Sequence, residues 1–267
     1  MFAAIYGLFG LIIGSFTNVV VLRSGVVSLA GRSGCMSCGA KIRWFDLIPV
    51  FSWIALRGKC RACGSRISIQ YPIVEFCMAA AFVLVGASAL PSLSKILGLL
   101  ISAVLIAIVA YDILHTIIPN AWVYTFAALA LLSSLLTTNY LLLTILSGPA
   151  VALPLFALWF VSGGKWIGLG DAKLALGIGW LLGPLQGLQA LLLAFIIGAI
   201  VGLGLIALSS LRSKAFLDRF TPMSVSRKLA LRFTMKSEIP FGPFLIAACM
   251  FQWLTLMYNI QIPFLWQ

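Results

Sequence analysis

Residues 113–164 contain no Asp, Glu, Lys or Arg, and neither do residues 174–211. One helix crossing a bilayer needs about 20 apolar residues, so each run can supply two. A water-soluble domain carries roughly 25% charged residues. This chain of 267 residues carries 9%, is 62% hydrophobic, and has a mean hydropathy of +1.12. Those values exclude a soluble fold and predict an all-α polytopic membrane protein. Breakers and polar residues divide it into about eight transmembrane helices, near 1–22, 72–90, 95–112, 120–137, 141–162, 172–186, 187–210 and 240–260. The sixth is short, with Gly183-Pro184 marking its end, so seven spans also fit. Met1 to Leu22 has no Lys or Arg ahead of it, and its first positive charge is Arg23. Signal peptides carry charge first, so this segment is expected to be a retained helix with its N-terminus outside the cytoplasm.

Charge sets the expected orientation. The loop from Arg23 to Tyr71 holds eight Lys and Arg, the stretch from Gly163 to Lys173 two, and the loop from Leu211 to Ile239 seven. With eight spans, these segments share one side and Lys95 stands alone on the other. That places seventeen of eighteen positive charges on a face expected to be cytoplasmic. A net charge of +12 could suggest nucleic acid. Its one-sidedness points instead to topology and anionic membrane lipid, with no nucleic-acid partner.

Four of the six cysteines form two Cys-x-x-Cys pairs, Cys35 with Cys38 and Cys60 with Cys63. This pattern suits a tetrahedral zinc site in which each turn presents two thiolates. Gly39 and Gly64 follow the pairs, where a tight turn wants a permissive backbone. Lys41, Arg43, Lys59 and Arg61 would favour the thiolate form. Two disulfides or a redox pair are the alternatives, and a reducing cytoplasm disfavours both. Four protein ligands leave no open position, so the zinc is expected to be structural. Cys77 and Cys249 fall within spans and are expected to be packing residues.

Six acidic residues exist, and Glu75, Asp112 and Asp171 lie at or inside membrane boundaries. An acid at the centre of a span costs about 2.5–3.5 kcal/mol, which makes such residues functional candidates. Asp112 closes the third span, and Asp171 ends Gly168-Leu169-Gly170-Asp171 at the start of the sixth. The topology brings both to one depth. Two carboxylates sharing a proton can split a peptide bond, one activating water while the other polarises the carbonyl. The single histidine, His115, cannot by itself complete a metallohydrolase site, and no Gly-x-Ser-x-Gly occurs. A structural hydrogen-bonding role is expected for His115.

The chain resembles the bacterial type IV prepilin leader peptidase family, a group of Gly-x-Gly-Asp membrane aspartic peptidases. The likeness runs through Gly14-Ser15-Phe16 with Asn18-Val19, both cysteine pairs, and Leu47-Ile48-Pro49 with Ser52-Trp53 between them. It continues through Tyr71-Pro72, Val74-Glu75, Asp112 with Ile118-Pro119, Gly168 to Asp171 with Lys173, and Ile239 to Pro243. The resemblance implies an aspartic endopeptidase of the bacterial inner membrane, with Asp112 and Asp171 catalytic. It would cut the basic leader from prepilins or pilin-like secretion subunits at the cytoplasmic face. It also implies possible methylation of the new N-terminus from S-adenosylmethionine. Glu75, Gly168, Gly170 and Lys173 are candidate substrate-binding residues, with Glu75 expected to hold the substrate amine. The expected organisation is a first helix at 1–22, a cytoplasmic four-cysteine zinc-binding loop at 23–71, and a peptidase core of about seven helices at 72–267, including a basic cytoplasmic loop at 211–239. Two positions depart from the family: Asn120 stands where Asp is usual after Pro119, and Ile167 where Met is common.

Other readings make different demands. A presenilin-like intramembrane aspartyl protease would pair Tyr111-Asp112 with the same glycine motif, but would carry Pro-Ala-Leu in its last span, which is absent. A proton-coupled transporter would place acids mid-span. A zinc-ribbon membrane scaffold would tolerate Asp→Asn at both positions.

Overall fold

The computed structural model describes residues 2–24, 31–138, 140–211 and 240–260. Among them the chain is helical, without strands beyond two isolated bridges in the cysteine loop. The long helices are α1 (Phe2–Arg23), α3 (Gln70–Ala87), α4 (Ser92–His115), α5 (Asn120–Thr137), α6 (Leu141–Ser162), α7 (Leu169–Leu182), α8 (Pro184–Leu211) and α9 (Gly242–Met257). A short α2 (Phe51–Ala55) and a 3₁₀ turn at Trp44–Leu47 lie in the loop between α1 and α3. Six of the long helices are long and apolar enough to cross a membrane, so the protein is a multi-pass membrane protein. The other two, α7 and α9, have 14 and 16 residues. At about 1.5 Å per residue each is shorter than the ~30 Å hydrocarbon core. Length therefore does not establish eight full spans. The expected basic loop at 211–239 lies outside the described residues apart from Leu211.

Two boundaries differ from expectation in ways that matter for the site. The sixth helix begins at Leu169 rather than 172, so Gly170 and Asp171 form its first turn instead of preceding it. The third continues to His115, placing Asp112 inside the helix. It stops at Thr116, whose φ of +55° is left-handed and whose N–H donates to the Asp112 carbonyl at 2.7 Å.

Helices in lipid associate through close backbone approach rather than a hydrophobic drive, and small residues carry that role here. Gly10 and Gly14 of α1 face α3: a β-carbon on Gly10 would fall 2.6 Å from the Ala79 Cα, and one on Gly14 2.7 Å from the Glu75 Cα. Central α7 is buried on most sides and presents Gly177 to Phe126 of α5 and Gly179 to α6. In α6, Pro149 cannot donate to the Ile145 carbonyl. The Trp180 indole N–H fills that vacancy at 3.1 Å, entering over Gly148. Cys249 is fully buried as expected, but Cys77 is exposed on α3 and is not a packing residue. It stands beside Phe76, on a face that lipid would cover.

An overpacked contact costs about 1–3 kcal/mol. Gly10→Ala should therefore lower the melting temperature of the purified protein by several degrees. Gly204→Ala, where an added methyl meets nothing within 4 Å, should leave it unchanged; equal shifts would contradict this packing.

Candidate active site and metal centre

Asp112 and Asp171 are 3% and 8% exposed, and Ile118 packs against the helix ends that carry both. They come from different helix ends: Asp112 from the last turn of α4, Asp171 from the third position of α7. An acid in a first helical turn is favoured by the helix dipole. A third element closes the site. A β-carbon on Gly242, the first residue of α9, would lie 2.5 Å from Asp112 Oδ2, so any side chain there would displace the Asp112 carboxylate. Ile118 packs between, 3.1 Å from a β-carbon on Gly170 and 3.3 Å from one on Gly242. The two glycines of the α7 motif differ. Gly170 is needed for space, whereas a β-carbon on Gly168 would meet Asp171 Oδ2 at an ordinary 3.4 Å. Neither has a positive φ, so the motif works by close approach rather than by an unusual backbone. Asp112 Oδ2 is buried without a hydrogen-bond partner, and neither aspartate forms an ion pair among the described residues.

Lys173 is not brought to the pair. Residues two apart on a helix do not share a face, and the Lys173 ammonium donates to Asn120 Oδ1 at 2.8 Å, 5.5 Å from the Tyr124 ring centre. Asn120, where the family usually has Asp, thus gives this lysine a neutral acceptor and pins α7 to the start of α5. His115 stacks on Tyr111, with ring centres 4.1 Å apart, and Nδ1 lies 3.2 Å from the Tyr111 carbonyl. It is exposed, in keeping with a structural role. Gln70 Nε2 donates to the Ala110 carbonyl at 3.3 Å, and Asn18 Nδ2 to the Tyr71 carbonyl at 3.1 Å. These bonds hold the starts of α3 and the cysteine loop at the level of Asp112.

The cysteine loop is a twofold repeat offset by 25 residues, a pattern the cysteine spacing contains and the sequence reading did not use. Cys35 N–H donates to the Ala40 carbonyl and Gly39 N–H to the Cys35 carbonyl; Cys60 with Ser65 and Gly64 with Cys60 repeat this. Gly39 and Gly64 both have φ of +70°, a left-handed turn that favours glycine. All four Sγ atoms lie within 4.8 Å of one another. The Cys35 and Cys63 sulfurs are 3.9 Å apart, close to the ~3.8 Å edge of a tetrahedron built on Zn–S bonds of about 2.3 Å. The four thiols fit and could hold a metal ion.

Their titration has local causes. The Ser65 hydroxyl, followed by the Cys38 and Ser37 backbone, brings Cys35 down to about 5, and Ser65 also lowers Cys63. The Ala40 backbone pulls Cys38 down, but the neighbouring thiols and burial push it up overall, to about 11. Four thiolates this close repel, and a cation relieves that repulsion. The expected help from Arg61 is not found: its guanidinium makes a bidentate pair with Asp46 at 2.7 and 3.0 Å. That pair lowers the Asp46 carboxyl and raises Arg61.

Glu75 is buried and its Oε2 accepts the Val50 N–H at 2.7 Å. Val50 has φ of +62° and ψ of −51°, and the Phe51 N–H reaches back to the Pro49 carbonyl at 2.6 Å. This is a γ-turn of the rare, positive-φ hand, strained for a β-branched residue. No local sequence signal marks it.

The bacterial peptidase A24 N-terminal domain profile matches residues 8–89, and that of the type IV leader peptidase family matches residues 99–203. A "Prepilin leader peptidase/N-methyltransferase" of Dichelobacter nodosus is 30% identical, covering 96% of this chain and 91% of the relative. The chain belongs to the type IV leader peptidase family. Proteins of the same name from Aeromonas salmonicida (29% identity, 96% of this chain, 90% of the relative) and Klebsiella pneumoniae (32%, 69% and 87%) are also similar. No solved structure matches the chain. Family membership and the apolar helices make this leader peptidase relative a multi-pass inner-membrane protein.

Purified protein should bind about one zinc or cobalt ion per chain, with a tetrathiolate cobalt spectrum. Cys60→Ser should abolish that spectrum. Full metal content in Cys60→Ser would contradict a four-thiolate centre.

Proposed function

We propose that the chain is a membrane aspartic endopeptidase that removes the basic leader of prepilins or pilin-like secretion subunits at the cytoplasmic face. Asp112 and Asp171 are its catalytic pair. The observation that carries this reading is a pair of buried carboxylates on helix ends that meet at Ile118, without a cation partner among the described residues, at the end of the bundle that holds the cysteine loop. Family membership supports the same reading. The orientation rests on charge: the described Lys and Arg other than Lys95 lie in the segments joined at this end, which favours the cytoplasm.

In the chemistry, one aspartate is ionised and its partner protonated. The ionised group takes a proton from water as the water oxygen attacks the scissile carbonyl carbon. The protonated partner donates a hydrogen bond to the carbonyl oxygen as charge develops there. Collapse of the tetrahedral intermediate breaks the C–N bond, and a proton passes to the departing nitrogen. The products are a leader ending in a carboxylate and a mature subunit with a free amine. No covalent enzyme intermediate forms.

The relatives' names support a second activity, methylation of that amine from S-adenosylmethionine. The described helices and cysteine loop contain no glycine-rich βα nucleotide-binding unit. A zinc ion on Cys35, Cys38, Cys60 and Cys63 would fold the loop and take no part in hydrolysis. We assign Glu75 to positioning that loop through Val50 rather than to holding the substrate amine, and Lys173 to bracing α7 against α5. With Asp46 also paired, the catalytic carboxylates are, among the described residues, the acids left to meet the leader.

General acid–base catalysis contributes typically 10²–10⁴-fold. Asp112→Asn and Asp171→Asn should each cut prepilin cleavage by roughly a thousandfold while leaving the melting temperature near that of the parent. Gly242→Ala, which crowds Asp112, should lower cleavage by at least about tenfold. Cleavage above about a tenth of the parent rate in either Asp→Asn variant would refute the assignment.

A further inference from the structure

The cysteine loop carries an apolar surface that neither the metal centre nor the aspartate pair uses. Trp44 is 76% exposed, Phe51 66%, Ile54 61%, and Leu47 and Ile48 each 43%. Phe51 and Ile54 are three residues apart on α2, and Leu47 and Ile48 end the 3₁₀ turn just before it, so the exposed apolar residues fall within one short segment. Trp53, by contrast, turns inward. Its indole donates to the Ile67 carbonyl at 3.3 Å, and its ring covers Gly58, where a β-carbon would meet it at 2.9 Å. The loop therefore has an inner face around Trp53 and an outer apolar face that none of the described residues covers. Exposed Lys41, Arg43, Arg57 and Lys59 flank the outer face in sequence.

The Glu75–Val50 hydrogen bond sets the depth of this segment. Glu75 is the sixth residue of α3, a membrane-spanning helix, and lies near Ile73 and Phe76, exposed at 51% and 66% where lipid is the available neighbour. Val50 lies between Ile48 and Phe51 in sequence. Its 2.7 Å hydrogen bond to Glu75 ties this part of the loop to α3 within two turns of that helix's start.

We propose that the Trp44–Ala55 segment is an interfacial anchor, inserted in the bilayer leaflet beside α1 and α3. Its aromatic and aliphatic residues lie among the upper acyl chains, and its flanking cations lie among anionic headgroups. Apolar residues on one side and basic ones around them are the composition of segments that lie in a membrane interface. The occupant is lipid, and the inference does not depend on the peptidase reading. Its consequence is that the cysteine loop is moored at two points, the α1–α3 backbone and the leaflet itself.

The test uses the full chain labelled with 5-fluorotryptophan, in nanodiscs containing phosphatidylglycerol. The ¹⁹F resonance missing from Trp44→Phe identifies Trp44. Lipid carrying a nitroxide near the headgroup should broaden that resonance by roughly twofold or more, while a water-soluble gadolinium chelate should leave it sharp. In Phe51→Ser/Ile54→Ser the sensitivities should reverse, with metal content unchanged showing that the loop still folds. Gadolinium broadening of Trp44 in the parent would overturn the proposal. So would protection that develops only when a pilin-precursor peptide is added, since the segment would then be a peptide-docking surface.

Discussion

The site depends on one costly arrangement: two buried carboxylates, Asp112 and Asp171, brought to one end of the bundle from different helices. Burying carboxylates is expensive, and the arrangement persists only where surrounding packing leaves the groups no alternative. Three helix ends enforce it here. The α4 helix runs one turn past Asp112 before Thr116 stops it, α9 begins at Gly242 with no side chain to fill the space, and α7 begins early enough to make Asp171 part of its first turn. Ile118 wedges against the glycines of both neighbouring helices. A second carboxylate nearby gives the pair a reason to share a proton.

Holding those ends in register falls to small residues and compensated defects. Gly10, Gly14, Gly177 and Gly179 let backbones meet, and the Trp180 indole satisfies the carbonyl that Pro149 leaves free. In lipid an unsatisfied backbone group finds no water, so that substitution of donors lets α6 keep Pro149 and still pack on α7. The cysteine loop is fastened to the same end by Asn18, Gln70 and Glu75. Metal centre and carboxylate pair are thus separate modules sharing one edge.

Much of this was legible in the residues. Charge-free apolar runs located the helices, and α5 and α6 match their expected limits because Pro119-Asn120 and the Gly163 turn punctuate them plainly. The cysteine cluster was legible because ligand spacing is local. Contacts between distant backbones were not. Nothing in Gly242 announces that it faces Asp112, and the Glu75 tether depends on an unusual φ at Val50 that its residue type disfavours. Cys77 was misassigned because helical periodicity is weak when lipid and protein interior are both apolar. Lys173 sits in the catalytic motif by sequence, yet its helix position turns it toward Asn120.

The central claim is that two aspartates from separate helices act as one catalytic unit. The most direct measurement is a double-mutant cycle on prepilin cleavage, comparing Asp112→Asn, Asp171→Asn and the combined variant with the parent. If the pair shares one proton and one water, the second substitution has nothing left to remove, and the double variant should cleave about as slowly as either single one. Losses that multiply, with the double variant slower by the product of the two single effects, would mean independent roles and contradict the dyad.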